Sequence, residues 1–265
     1  MLQEPDAGLH SLDWRRRSMG GLRRIWRAGL DFLLPPRCLT CDAPAAEPDA
    51  VCPSCWGQMP FIEAPWCARY GTPLSFDLGP EGLSARAIAS PPLFNRARAA
   101  TLYGGPARDL VLALKFGGRR EVAAPMGRLM AAAGRELFQP DTLVLPVPLH
   151  RTRLWQRRFN QAALLGQEVA RIKGVGFEPL MLERRRRTRQ QVGLHADERS
   201  RNVRGAFALR PEAVMKISGR PVVLVDDVLT TGSTVEACTR VLLRAGARQV
   251  DVLTFAIADP SLTAD

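Results

Sequence analysis

Two groups of residues have types and spacing suited to chemistry. The first is the run VVLVDDVLTTGST at 222–234, in which four apolar β-formers precede Asp226 and Asp227, followed by Thr230, Thr231, Gly232, Ser233 and Thr234. A helical pattern begins at Val235. The order is strand, turn, helix. A short, continuous, β-branched strand is what burial on both faces of a parallel sheet requires, and open α/β sheets bind ligands beyond the carboxyl ends of such strands. The turn supplies small side chains and backbone N–H groups at a helix N-terminus, which can hold a monophosphate. Carboxylates beside a phosphate cradle are compatible in a sugar phosphate, whose ribose hydroxyls donate to Asp226 and Asp227 while its 5′-phosphate sits in the turn. An acidic strand end in an ordinary core sheet is the alternative. The strand-to-helix context of the motif weighs against it.

The second group is Cys38, Cys41, Cys52 and Cys55, two CxxC pairs separated by ten residues with Pro44, Pro48 and Pro53 in and around the intervening loop. Two such knuckles present four thiolates tetrahedrally, and zinc is the expected metal. A segment so rich in proline and poor in core-forming residues needs a metal in order to fold. Buried structural cysteines or a redox CxxC are the alternatives. Cys67, followed by Tyr70 and Gly71, reads as a further knuckle without its second thiol, and one structural zinc per chain is expected. Cys238, in the helix after the threonine-rich turn, is expected in the core.

The elements that must position these groups follow from the rest of the chain. At 265 residues the chain exceeds one ordinary domain core, so an α/β domain with a smaller module is expected. Its hydrophobic content of 46% supports a packed interior. From Ala97 onward strand and helix patterns alternate, as in a parallel sheet: strands at 99–103 and 142–147, helices at 106–116, 121–138 and 160–172. Leu22, Ile25, Trp26, Leu30, Phe32, Leu33 and Leu34 have helical spacing with an arginine-rich opposite face, an amphipathic helix that packs on protein or lies on a membrane surface. No stretch approaches the roughly 18 uninterrupted apolar residues of a membrane span. Arg23, Arg24, Arg27 and Asp31 interrupt the most apolar N-terminal segment and also spoil it as a signal peptide, so a cytoplasmic location is expected.

The formal net charge is +11, concentrated between His150 and Arg210, where 15 arginines and lysines face 5 acidic residues. Coulombic attraction of this kind serves polyphosphates and nucleic acid alike. Arg151, Arg153, Arg157 and Arg158 follow the second strand and could neutralise a pyrophosphate, or form a solvated helix face. Lys115 adds charge at the mouth of the site or is a surface lysine at a helix end.

The DD-x-x-TTG-S-T run resembles the phosphoribosyl-pyrophosphate (PRPP) loop of type I phosphoribosyltransferases. The resemblance narrows to the ComF/GntX family through the CxxC ribbon with a degenerate second ribbon, LKFGGRREVA at 114–123, VPLHRTRLWQRRFNQA at 147–162 and QQVGLHADERSRNVRGAF at 190–207. It implies the type I phosphoribosyltransferase fold, a Rossmann-like parallel-sheet α/β core with a small N-terminal zinc-ribbon module. The N-terminal 1–20 lacks periodicity and is expected to be disordered, and 75–92, rich in glycine, proline and serine, reads as a linker, which leaves the helix and ribbon at 21–74 and the transferase domain at 93–260. The resemblance further implies that Asp226, Asp227, Thr230, Thr231, Gly232, Ser233 and Thr234 bind PRPP or ribose 5-phosphate with Mg, joined by Pro148, His150 and Arg151 from the pyrophosphate loop. A flexible hood starting at Arg184 would cover the site. Asp226 and Asp227 are the expected catalytic pair of a phosphoribosyltransferase whose acceptor the sequence does not identify. The family is linked to competence and to the uptake or use of external DNA. A second reading is therefore an accessory protein that holds single-stranded DNA through Arg157, Arg158, Arg184, Arg185, Arg186 and Arg187, with competence proteins as partners and Trp155 and Phe159 as stacking platforms. A third is a PRPP-sensing regulator without turnover.

Overall fold

The apolar runs of the second half pair side by side. The computed structural model describes residues 35–186 and 205–258, and these divide into two units, one within 1–52 and one within 53–265. The expected N-terminal disorder and the amphipathic helix at 22–34 lie outside the described residues, as does most of the expected hood. In chain order the second unit contains α1 (Pro53–Gly57), α2 (Ala85–Ala89), β1 (Ala97–Leu102), α3 (Gly105–Phe116), α4 (Ala123–Ala133), β2 (Leu143–Pro146), α5 (Arg151–Arg157) and α6 (Gln161–Lys173). Then follow β3 (Gly176–Phe177), β4 (Leu182–Arg184), β5 (Phe207–Leu209), α7 (Ala213–Ile217), β6 (Pro221–Leu229), α8 (Ser233–Arg244) and β7 (Gln249–Ile257).

Five strands form one sheet in the order β1-β7-β6-β2-β3, with every pairing parallel. β4 and β5 form a separate antiparallel pair. β6 alternates its side chains between two covered faces. Val222 and Leu224 join the core cluster that includes Val235, Cys238 and Leu242 of α8, and Val225 faces Gly166 of α6 on the other side. A Cβ at Gly166 would stand 3.1 Å from the Phe177 ring and 3.5 Å from Val144, so the small residue lets α6 lie close on the sheet. Burial on both faces explains why the strand reads as an unbroken apolar run. Cys238 is fully buried, as expected.

Helices begin and end at chemically legible points. Asn160 caps α6 by accepting the Ala162 N–H, and a left-handed Gly174 ends it. The single helix expected at 121–138 is broken into α4 with a short 3-10 turn on each side, because Gly134 terminates it. Residues 75–92, expected as a linker, contain α2, capped by the Ser84 hydroxyl. Its Arg86 and Ala87 make tertiary contacts that a linker lacks.

The N-terminal cysteines fold as a knuckle. Cys38 N–H donates to Ala43 O at 2.7 Å, and Cys38 Sγ accepts the Cys52 N–H at 3.2 Å. The ligand atoms of Cys38, Cys41, Cys52 and Cys55 all lie within 4.8 Å of one another. Cys41 Sγ and Cys52 Sγ are 3.7 Å apart, close to the separation of about 3.8 Å implied by tetrahedral Zn–S bonds of about 2.3 Å. Burial pushes the Cys38 thiol up, but hydrogen bonds from Cys41, Cys52 and Thr40 outweigh it and hold the group at about 5, favouring the thiolate that a metal requires. The donor set fits structural zinc.

Elemental analysis of the purified protein is expected to find one zinc per chain; none, or two, would contradict the ribbon as described. Cys38→Ser is expected to remove the metal and make residues 35–55 protease-sensitive while the α/β sheet retains its far-UV dichroism and melting transition, because a structural zinc supplies most of the folding free energy of so small a module.

Candidate functional site

The direction of chain reverses at the centre of the sheet. From β2 the chain passes through α6 to β3 on one side, whereas from β6 it passes through α8 to β7 on the other. The loops beyond β2 and β6 therefore part, and a crevice opens between them. β2 pairs with β6 only as far as Pro146 opposite Val225, whereas β6 continues to Leu229 beside β7. Asp226 and Asp227 occupy this overhang. The strand does not stop before them, as its composition implied, because β7 supplies a partner along its length.

The crevice is a cavity of about 880 Å³. Its lining includes Asp226 and Asp227, the loop residues Thr230, Gly232 and Thr234, Pro148 from beyond β2, and the cations Lys115, Arg153, Arg157, Arg158 and Arg184. Asp227 is ion-paired to Lys115 at 2.9 Å, so the lysine is a wall of the site and not a surface cation. Asp226 accepts the Asp227 N–H at 2.9 Å. Burial, then repulsion from Asp227, pushes its carboxyl up to about 7 against the pull of Lys115 and Arg184.

Beyond the strand, Gly232 sits at φ 84 and forms the N-cap of α8. An L side chain rarely adopts this conformation, so glycine is required for the chain to turn from β6 into the helix. The N–H groups of the first turn of α8 have no intrahelical acceptors, and the helix dipole favours an anion there. Thr231 and Ser233 hydroxyls lie 3.0 Å apart at the same turn.

The segment after β2 is a helix and not an open loop. His150 caps α5, its Nδ1 accepting the Thr152 N–H at 3.3 Å. Neither His150 nor Arg151 is among the cavity residues. Arg153, Gln156 and Arg157, on the helix, line it instead, since residues three and four apart share a helical face. Val147 O accepts from Asn160 Nδ2 at 3.0 Å, which anchors the start of this segment to the cap of α6.

The basic run at 184–187 divides. Arg184 turns into the cavity, where burial and then repulsion from Arg153 lower its pKa. Arg185 stays outside and pairs with Glu183 at 2.6 Å, and Arg186 is also exposed. Arg187 lies outside the described residues. Arg157 and Arg158, expected as nucleic-acid contacts, face the same cavity as the carboxylates. Phe159 lines it with Arg120 over its ring at 4.7 Å, whereas Trp155 is 84% exposed.

Two contributors had no local signal in the sequence. Phe116, Gly117 and Gly118, which entered the sequence reading only through the family resemblance of 114–123, also line the cavity. Arg86 of α2 reaches the loop from outside, donating to Thr231 O at 2.8 Å.

Comparison with known proteins agrees with this architecture. Residues 29–89 match the double zinc ribbon domain and residues 161–264 the phosphoribosyl transferase domain. The chain is 34% identical over 226 residues to DNA utilization protein YhgH of Escherichia coli K12, covering 83% of this chain and 96% of that protein. The Salmonella typhimurium protein of the same name is 38% identical over 192 residues, covering 70% and 81%. Competence protein F of Haemophilus influenzae is 30% identical over 217 residues, covering 79% and 91%. With relatives at 30% identity or more matched over most of their length, and a double zinc ribbon match ahead of a phosphoribosyl transferase match, the chain belongs to the ComF/GntX family.

Proposed function

We propose that the cavity binds PRPP, or the ribose 5-phosphate group of a nucleotide, and that the chain is a phosphoribosyltransferase. One observation carries the reading: an acidic pair on the overhang of β6, a glycine-headed helix N-terminus directly beyond it, and five cationic side chains lining the same cavity. A ligand with hydroxyls in the middle and anionic phosphates at its ends matches that distribution of charge. The ribose hydroxyls would donate to Asp226 and Asp227, the 5′-phosphate would accept from the N–H groups at the start of α8, and Arg153, Arg157 and Arg184 would face the pyrophosphate. In transfer, the bond from ribose C1 to the pyrophosphate oxygen breaks as a bond from C1 to an acceptor nitrogen forms, and the acceptor releases a proton. Positive charge preorganised around the departing group lowers that barrier. Asp226 and Asp227 are also the residues that would hold Mg²⁺, which supplies further charge neutralisation on the pyrophosphate.

The names of the relatives favour a link to DNA utilisation and competence. An exposed Trp155 among arginines supports direct contact with single strands as a second reading, with the tryptophan as a stacking surface.

Isothermal titration with PRPP and Mg²⁺ is expected to give a binding signal that weakens at least tenfold in the Asp226→Asn, Asp227→Asn double variant, since hydrogen bonds to charged acceptors contribute roughly 1.5–3 kcal/mol each. Unchanged affinity would mean that the carboxylates do not touch the ligand. Turnover with a panel of nitrogenous acceptors then distinguishes a transferase from a sensor.

The electrostatics of the ligand-free site make a separate prediction. Because the Asp226 carboxyl is held up at about 7 against an ordinary 3.8, stability attributed to this group is full below pH 4 and is lost as pH rises through 7. Asp226→Asn keeps an oxygen for the Asp227 N–H and removes the charge. It is expected to raise Tm at pH 8, by about 2–4 °C for each kcal/mol relieved, and to leave it unchanged near pH 4. Equal shifts at both pH values would refute an electrostatic cause.

Direct DNA binding predicts an affinity for a labelled single strand that falls with salt at a slope of about 0.7 per phosphate contacted. The variant Trp155→Ala, Arg185→Ala, Arg186→Ala is expected to weaken that binding and flatten the slope without changing PRPP affinity. No anisotropy change at physiological salt in the parent protein would leave the DNA link indirect.

A further inference from the structure

The stretch around Cys67 repeats the backbone of the four-cysteine module bond for bond. Cys38 N–H donates to Ala43 O at 2.7 Å and Asp42 N–H to Cys38 O at 3.2 Å. At the same spacings, Cys67 N–H donates to Thr72 O and Gly71 N–H to Cys67 O, both at 2.8 Å. Asp42 and Gly71 occupy equivalent left-handed positions, with φ 58 and 68. Each turn closes in an isolated antiparallel bridge, Arg37 with Pro44 and Trp66 with Pro73. The returning segments also match. Leu39 N–H donates to Ala50 O and Ala68 N–H to Gly82 O, while Cys38 Sγ accepts the N–H of Cys52 and Cys67 Sγ that of Ser84. A short helix then follows each, α1 and α2.

This register sets Cys67, Tyr70, Ser84 and Ala87 where the first module has Cys38, Cys41, Cys52 and Cys55. One thiol of four remains, so the second knuckle holds its shape without a tetrathiolate. Side-chain packing replaces the metal. The Tyr70 ring meets Phe94 edge-on, with centroids 5.6 Å apart, its hydroxyl donates to Ser90 O at 3.1 Å, and the Ser84 hydroxyl caps α2.

The replacement also creates a contact with the β6–α8 turn. The Arg86 guanidinium lies 4.2 Å from the centroid of the Tyr70 ring and donates through Nη2 to Thr231 O at 2.8 Å and to Thr230 O at 3.4 Å. Stacking holds the planar guanidinium in one orientation. Binding the carbonyl oxygens of a tight turn from behind fixes its peptide planes and hence the direction of its N–H groups. We propose that the second ribbon is a metal-free brace for the phosphate-binding turn, with Arg86 as a positioning residue aligned by Tyr70. The ligand assignment rests on the proposed function; the brace itself does not.

Hydrogen exchange measured by mass spectrometry, with ribose 5-phosphate titrated in parallel, tests this. Arg86→Ala is expected to speed exchange of the 229–234 amides about tenfold or more, the loss of a charge-assisted hydrogen bond, and to weaken ribose 5-phosphate by a similar factor. Peptides from β2 and α6 should be unchanged, and zinc should stay at one per chain. Tyr70→Phe, which keeps the ring, should preserve the loop, whereas Tyr70→Ala should loosen it. Arg86→Lys, which keeps the charge but loses the planar fork, should give an intermediate rate and guards against a misfolded alanine variant. Unaltered loop exchange in Arg86→Ala overturns the brace whatever the ligand. Faster loop exchange in a protein whose parent form shows no ribose 5-phosphate binding upholds the brace and overturns the ligand assignment.

Discussion

The site depends on β6 being longer than its neighbour β2. Where β2 ends at Pro146, β6 has a partner on one side only, and its next two residues are carboxylates. A parallel strand buried on both faces cannot accept charge in its interior without a large desolvation cost. At the overhang the two acids gain a cavity on one side and the Lys115 ammonium at 2.9 Å from Asp227. The cations of α5 and Arg184 are drawn around the same point, which balances the acids and leaves a surplus of positive charge in the cavity.

Covering that overhang makes demands on elements distant in sequence. α6 lies close to the sheet because Gly166 has no side chain, which helps bring its Asn160 cap within reach of Val147 O. α8 starts where it does because Gly232 adopts a left-handed turn. One face of β6 thus packs against α6 and the other against α8, and the crevice lies between the two departures.

Much of this was legible because it is local. The β-branched run before Asp226, the glycine at the turn and the paired CxxC spacings each encode their geometry within a few residues. Contacts across the chain were not legible. Lys115 looked like an ordinary helix-end lysine because its partner is Asp227, 112 positions later, and Arg86 lay in a stretch whose glycine and proline content reads as linker although its acceptor is Thr231. His150 and Arg151 were assigned to the site through the resemblance of their segment to a pyrophosphate loop. The turn into α5 instead makes His150 a cap and carries Arg153 and Arg157 inward. The run at 184–187 looked uniform, but Arg184, the last residue of β4, lines the cavity, whereas Arg185, just past the strand, pairs with Glu183 outside it.

The tandem knuckles have a consequence for a cell short of zinc. A chain with two tetrathiolate ribbons would expose both halves of the module to metal starvation or to oxidation of its thiols. Here the copy that touches the β6–α8 turn keeps its fold through an aromatic ring, a serine hydroxyl, backbone hydrogen bonds and a single thiol that accepts N–H groups, none of which needs a metal. Loss of zinc would therefore act on the first knuckle and leave in place the Arg86 contacts to the β6–α8 turn, so that turn is insulated from the cell's metal status.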